Sequence, residues 1–146
     1  MGIWLKIFGR LFRKNDKQGE TANKPGEFDR IFVGEVLSIE KHPNADRLRL
    51  AKVRVGAEEI GPIVCGAANL EVGQKVAVAF EGANLIDSHD PEKRKMTLRK
   101  ATIRGVESQA MICSDMELGL GENHYGIKVL DEDARSGEKF ADYISK

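Results

Sequence analysis

What most constrains this chain is a series of short apolar runs with strand-like alternation, separated by turn signals. The runs are 31–40 (IFVGEVLSIE), 48–55 (LRLAKVRV), 60–65 (IGPIVC), 75–80 (KVAVAF), 97–104 (TLRKATIR), 109–113 (QAMIC) and 126–130 (GIKVL). Turn-forming clusters fall between them at 42–46 (HPNAD), 55–59 (VGAEE) and 69–74 (NLEVGQ). Within 48–55, Leu48, Leu50, Lys52 and Arg54 share one face and Arg49, Ala51, Val53 and Val55 the other. Two short helices are predicted, at 115–119 (DMELG) and 137–144 (GEKFADYI). Asp115 and Glu117 stand at the start of the first, where acids complement the helix dipole. Many short strands and little helix predict an all-β fold, a small barrel or a sandwich.

That pattern starts near Phe28. Residues 15–27 (NDKQGETANKPGE) are polar, contain Gly and Pro, and read as a flexible linker. Residues 1–14 (MGIWLKIFGRLFRK) have helical periodicity instead. Trp4, Ile7, Phe8, Leu11 and Phe12 fall on one side, and Lys6, Arg10, Arg13 and Lys14 on the other. A helix this short is marginal in water, so it needs a surface. Four bases without an acid suit an anionic membrane surface; docking on the barrel or on a partner protein is the alternative. Lys6 breaks the myristoylation pattern. No run reaches the roughly 18 apolar residues of a membrane span, and no small-residue cleavage site follows the apolar start.

Net charge is zero, with 23 bases and 23 acids, so only their distribution informs. Between His89 and Arg104 lie six bases (Lys93, Arg94, Lys95, Arg99, Lys100 and Arg104) against Asp90 and Glu92. Between Glu107 and Glu122 lie four acids and no base. A basic face beside an acidic one is one reading and a mixed solvated surface the other; a polyanion responds to the local field. Cys65 and Cys113 lack zinc or C-x-x-C spacing and are expected to be free buried thiols in a reducing cytosol.

No catalytic constellation stands out. His42, His89 and His124 are isolated, and there is no H-E-x-x-H, Walker loop, G-x-G-x-x-G or nucleophile turn. We therefore expect no enzyme activity, cofactor or metal. What the sequence offers suits binding. Lys41, Arg47, Arg49, Lys52 and Arg54 lie on and beside the first hairpin, and Lys93 to Arg104 form a second basic stretch. Few aromatics (Phe28, Phe32, Phe80, Tyr125, Tyr143) are left for base stacking, so shape and backbone recognition of a folded RNA fits better than single-strand binding.

Four motifs then make a specific resemblance: HPNADRL at 42–48, VRVG at 53–56, VCGAANL at 64–70 and IRGVESQAMICSDMELGLG at 103–121. In this order they resemble the tRNA-binding oligonucleotide-binding (OB) domain near the amino end of the bacterial phenylalanyl-tRNA synthetase beta subunit. That domain is similar to modules of the endothelial-monocyte-activating-polypeptide type. The resemblance runs from about Phe28 to Ile144, within a domain expected over 28–146, and implies a five-stranded OB-fold barrel with short helices and a C-terminal extension. It also implies tRNA binding outside the anticodon with little sequence preference, and dimers in some free-standing relatives. Carried over by motif, the implied contacts are Asn44, Arg47, Arg49, Asn69, Arg104, Ser108 and Met111. Lys93, Arg94, Lys95, Arg99 and Lys100 join them on charge.

Each has a structural alternative: Asn44 as a turn cap, Met111 as core, Gly66 and Gly105 as backbone geometry. Ala110 stands where the family usually has Gly, which predicts a different local loop if that position needs positive φ. The chain ends at Lys146 with no catalytic region, so we expect a free-standing relative, alone or in trans with an aminoacyl-tRNA synthetase. It would be cytoplasmic, and peripheral at the inner membrane face if residues 1–14 anchor it. A truncated synthetase subunit and a protein-binding, chaperone-like OB module are the alternatives.

Overall fold

The computed structural model describes residues 27–146 and the backbone of Arg13–Lys14. The strands in chain order are β1 (Arg13–Lys14), β2 (Ile31–Lys41), β3 (Arg49–Val55), β4 (Glu58–Cys65), β5 (Lys75–Ala79) and β6 (Asn84–Ile86), followed by β7 (Lys95–Thr97), β8 (Ala101–Ile103), β9 (Val106–Ser108), β10 (Met111–Ile112) and β11 (Val129–Leu130). Helix α1 (Asp115–Leu118) lies between β10 and β11, and α2 (Phe140–Ile144) follows β11. The amphipathic helix expected over 1–14 does not include its last two residues, since Arg13 and Lys14 pair as a strand with Thr97 and Met96. The rest of that segment (Trp4, Lys6, Ile7, Phe8, Arg10, Leu11 and Phe12) and the linker up to residue 26 lie outside the described residues.

The barrel is one sheet curled on itself, in the order β10-β5-β2-β3-β4, all neighbours antiparallel. The long β2 makes the curl possible. Its first half, Ile31–Glu35, pairs with β5, and Glu35–Lys41 pairs with β3, with a register irregularity between Val36 and Ser38. Such a bulge bends a strand sharply. Gly34 sits just before it, where an added Cβ would approach Val78 Cγ2 to 2.7 Å.

The outer strands β4 and β10 close the barrel through the Gln109 N–H, which donates to Pro62 O at 2.9 Å. Beside it the Ser108 hydroxyl accepts from Val64 N–H at 3.0 Å and donates to Ala110 O at 2.9 Å. A buried serine thus takes the place of a ladder bond. Ser108→Ala removes both bonds, and we expect it to cost about 1–3 kcal/mol in urea denaturation. Ala110 itself is buried and is not among the residues with positive φ, so the altered loop expected there does not arise.

Alternate residues feed two cores. One gathers Ile31, Val33, Val64, Ala77, Met111 and Cys113 with Leu85, Leu98, Ile103 and Phe140. The other gathers Val36, Ala51, Val53, Ile63, Cys65, Val76, Val78 and Ile112 with Leu70 and Ile127. Both faces of the central strands are therefore covered, and runs such as IVC and VAVA are continuously apolar for that reason. Cys65 and Cys113 are free and buried. Burial pushes the Cys65 thiol up to about 11 and Cys113 well above its ordinary value.

The strand expected over 97–104 is two strands. Leu98 still bonds to Ala83, but Arg99 and Lys100 are in neither strand, and Ala101–Ile103 starts a separate hairpin with β9. The expected helix over 137–144 is shortened to α2. The expected helix at 115–119 forms as α1 with a full capping box: the Ser114 hydroxyl accepts from Glu117 N–H, and Glu117 accepts from Ser114 N–H.

Candidate nucleic-acid interface

One buried contact and one exposed contact tie the turn after β2 to the tip of the β8–β9 hairpin. His42 Nδ1 accepts from Asn44 N–H at 2.9 Å, and Nε2 lies 3.0 Å from Ile103 O. Since Nδ1 accepts, the ring proton resides on Nε2 and is donated to Ile103 O, which defines a neutral imidazole. Two residues after His42, Asn44 Nδ2 donates to Arg104 O at 2.9 Å. The sequence places Asn44 and Arg104 60 residues apart, and the structure makes them neighbours.

The hairpin tip explains the backbone at Arg104. Ile103 pairs with Val106, leaving a two-residue turn in which Arg104 has φ 52° and Gly105 φ 89°. A primed turn of this kind favours Asn-Gly, and an arginine at its first position adopts a left-handed backbone at a cost of roughly 1–2 kcal/mol. Its side chain is exposed and makes no ion pair among the described residues. Local strain held on an exposed cation points to a use for that cation. Arg104→Asn relieves the turn, and we expect about 0.5–1 kcal/mol of added stability by thermal melting together with weaker RNA binding.

Four cations lie on this rim. Arg47 belongs to the turn pinned by His42, Arg99 and Lys100 stand at the base of the β8–β9 hairpin, and Arg104 is at its tip. Three strand residues separate Lys100 from Arg104, roughly 10–13 Å along the hairpin. All four are exposed, and none makes an ion pair or a side-chain hydrogen bond among the described residues.

The other sequence-selected residues have intramolecular partners. Arg49 is half-buried, its Nη2 donating to Ala67 O at 3.0 Å and Leu70 O at 3.2 Å. The Asn69 amide clamps Ile127 from both sides, Nδ2 donating to its carbonyl at 3.1 Å and Oδ1 accepting its N–H at 3.0 Å. Ser108 and Met111 are buried in the barrel closure and the core. Lys52 faces Glu59 at 3.7 Å, and Arg54 faces Glu35 at 3.5 Å.

The basic stretch 93–104 is also divided. Lys93 and Arg94 lie in the β6–β7 loop and Lys95 begins β7, so Met96, Thr97 and Leu98 separate them from Arg99. Arg94 Nε lies 2.7 Å from the buried Asp90 and holds its carboxyl well below the usual carboxylate range. The Lys93 ammonium reaches Ser88 O and Asp90 O, each at 3.4 Å. These bases fold their own loop. Exposed acids occur on the rim too, at Asp46 beside Arg47 and at Glu107 on β9, and a further group lies at Asp131, Glu132, Asp133 and Asp142. Among the described residues no cluster of metal-ligating side chains occurs, and no helix is long and apolar enough to cross a membrane.

The comparisons with known proteins bear on the fold and the family. Residues 31–139 match the family model described as "Putative tRNA binding domain". The chain is 46% identical over 119 residues to the phenylalanine–tRNA ligase beta subunit of Mannheimia succiniciproducens, which covers 82% of this chain and 14% of that protein. It is 50% identical over 103 residues to the same subunit of Wolinella succinogenes, covering 70% of this chain and 12% of that protein. It thus spans only a small fraction of these relatives' length. The fold is similar to a MetRS-related protein from Pyrococcus horikoshii, with TM-score 0.51 and 23% identity over 75% of this chain and 86% of that one. It is also similar to the C-terminal domain of Plasmodium vivax p43, with TM-score 0.50 and 24% identity over 79% and 62% of the two chains. With an OB-type barrel and a family match running from the first barrel strand almost to the last helix, this chain belongs to the tRNA-binding domain family.

Proposed function

We propose that the chain is a non-catalytic tRNA-binding module whose binding domain is residues 28–146, working alone or in trans with an aminoacyl-tRNA synthetase. The observation that carries this reading is the rim: Arg47, Arg99, Lys100 and Arg104 are exposed, unpaired among the described residues, and backed by the His42 and Asn44 contacts. Cations whose charge is not neutralised from within the protein are available to phosphates, and a pinned backbone spares the ordering cost on binding. Bulk tRNA titrated against the wild type should bind and should be released as salt rises. Capture of a permanently unfolded polypeptide at high salt, without tRNA binding at low salt, would support a protein-binding OB module instead.

Residues 1–14 carry a separate proposal, an anchor to anionic membrane at the inner face. Its support is the sequence alone, with Trp4, Ile7, Phe8, Leu11 and Phe12 opposite Lys6 and Arg10. Deleting 1–14 should abolish sedimentation with anionic liposomes and leave tRNA affinity unchanged; a deletion that alters neither rejects the anchor.

A further inference from the structure

We propose that Tyr125 is a stacking platform for an unpaired nucleobase; this rests on the RNA-binding reading above. Tyr125 is 68% exposed and is the one exposed aromatic among the described residues, whereas the described phenylalanines and Tyr143 are half-buried or buried. One face of its ring is stacked on His124, with centroids 4.3 Å apart and planes 29° from parallel. No other ring contact is made by Tyr125 among the described residues, so its second face remains open to a flat partner.

The loop that carries this ring is fixed although the ring is exposed. Tyr125 N–H donates to Asn123 Oδ1 at 2.9 Å, and Asn123 O accepts from Met116 N–H at 3.1 Å. Two residues after the tyrosine, the Asn69 amide holds Ile127 from both sides. The same clamp presses on Gly126, where an added Cβ would come within 2.8 Å of Asn69 Oδ1. An exposed aromatic on a preorganised loop loses little freedom when a partner stacks on it.

Hydrogen bonds link its loop, through the loop of Asn69, to the strand that follows Arg47. Asn69 lies between Ala67 and Leu70, whose carbonyls accept from Arg49, and Arg49 is two residues from Arg47. The loop of Tyr125, the loop of Asn69 and the turn of Arg47 are thus stitched in sequence. Of the acids in α1 and the loop after it, Asp115 is paired with Lys128 at 3.0 Å and Glu117 is buried, leaving Glu122 exposed. A base has a π-face whatever its identity, so such a platform adds affinity without sequence preference.

The test compares Tyr125→Ala, Tyr125→Phe and Tyr125→Leu in titrations of bulk tRNA and of a ten-nucleotide oligoadenylate. Tyr125→Ala should weaken binding about fivefold or more with an unchanged salt slope, Tyr125→Phe should stay within about twofold of wild type, and Tyr125→Leu should resemble the alanine variant. Wild-type affinity in Tyr125→Ala, or full rescue by leucine, overturns the platform while leaving the cation rim standing. Failure of the wild type to bind either RNA overturns the function and the platform together.

Discussion

Replacing Arg47, Arg99, Lys100 and Arg104 together by alanine should abolish most of the salt dependence of tRNA binding. Each phosphate contact contributes about 0.7–0.9 to the slope of log affinity against log salt, so four contacts account for about 3. Between 50 and 200 mM salt, wild-type affinity should therefore fall by a factor about 100 larger than the variant's does. At the lower salt the variant should bind correspondingly more weakly. All four side chains are exposed and unpaired among the described residues, so the fold should persist. The control is a Lys93, Arg94, Lys95 to alanine variant. Arg94 is engaged with Asp90, and Lys93 with its own loop carbonyls, so this variant should lose less affinity per charge removed. A larger loss from the control would move the interface to the β6–β7 hairpin.

The second large effect concerns stability. Glu117 is 2% exposed and accepts from Ser114 N–H and the Ser114 hydroxyl through Oε1. Burial, with a smaller contribution from Asp87, outweighs those bonds and raises its carboxyl from 4.5 to about 7. The folded state therefore holds a proton that the unfolded chain has released. The stability this group contributes is complete below about 4.5 and is lost as pH rises through about 7. Two to three pH units of displacement correspond to about 3 kcal/mol. Glu117→Gln keeps the acceptor for Ser114 and has no charge to titrate. In urea denaturation the difference between variant and wild type should grow by about 2–3 kcal/mol in the variant's favour from pH 5 to pH 8. A constant difference across that range would show that Glu117 is ionised throughout. Since α1 packs against β6, this carboxyl also helps to hold the β6–β7 hairpin on the barrel.

How much of this was legible beforehand depends on the residue. The long barrel strands were, because Val, Ile and Ala alternate through them and turn residues bound them. The break in 97–104 was present in the sequence as a phase shift: Leu98, Ala101 and Ile103 are the buried positions, and alternation slips at Arg99–Lys100. The β8–β9 turn was also signalled, by R-G between two β-branched residues. Strand β6 was not, since three residues carry no period.

At the interface, charge and motif selected Arg47, Arg99, Lys100 and Arg104, which the structure leaves exposed. The same reasoning selected Arg49, Asn69 and Ser108, whose polar atoms turn out to hold loops and close the barrel. A one-dimensional sequence shows that a side chain can donate a hydrogen bond. It does not show whether a carbonyl 18 or 58 residues away takes that bond first. Tyr125 was passed over for the complementary reason, because exposure of a lone aromatic is a property of packing alone.

The most direct test of the rim as the RNA-contacting surface is residue-resolved. Isotope-labelled protein titrated with tRNA should show backbone amide shifts and broadening concentrated at 44–49 and 99–106, the regions joined by the His42 and Asn44 contacts. Perturbations confined to 87–95, or to the acidic region at 131–142, would contradict the account.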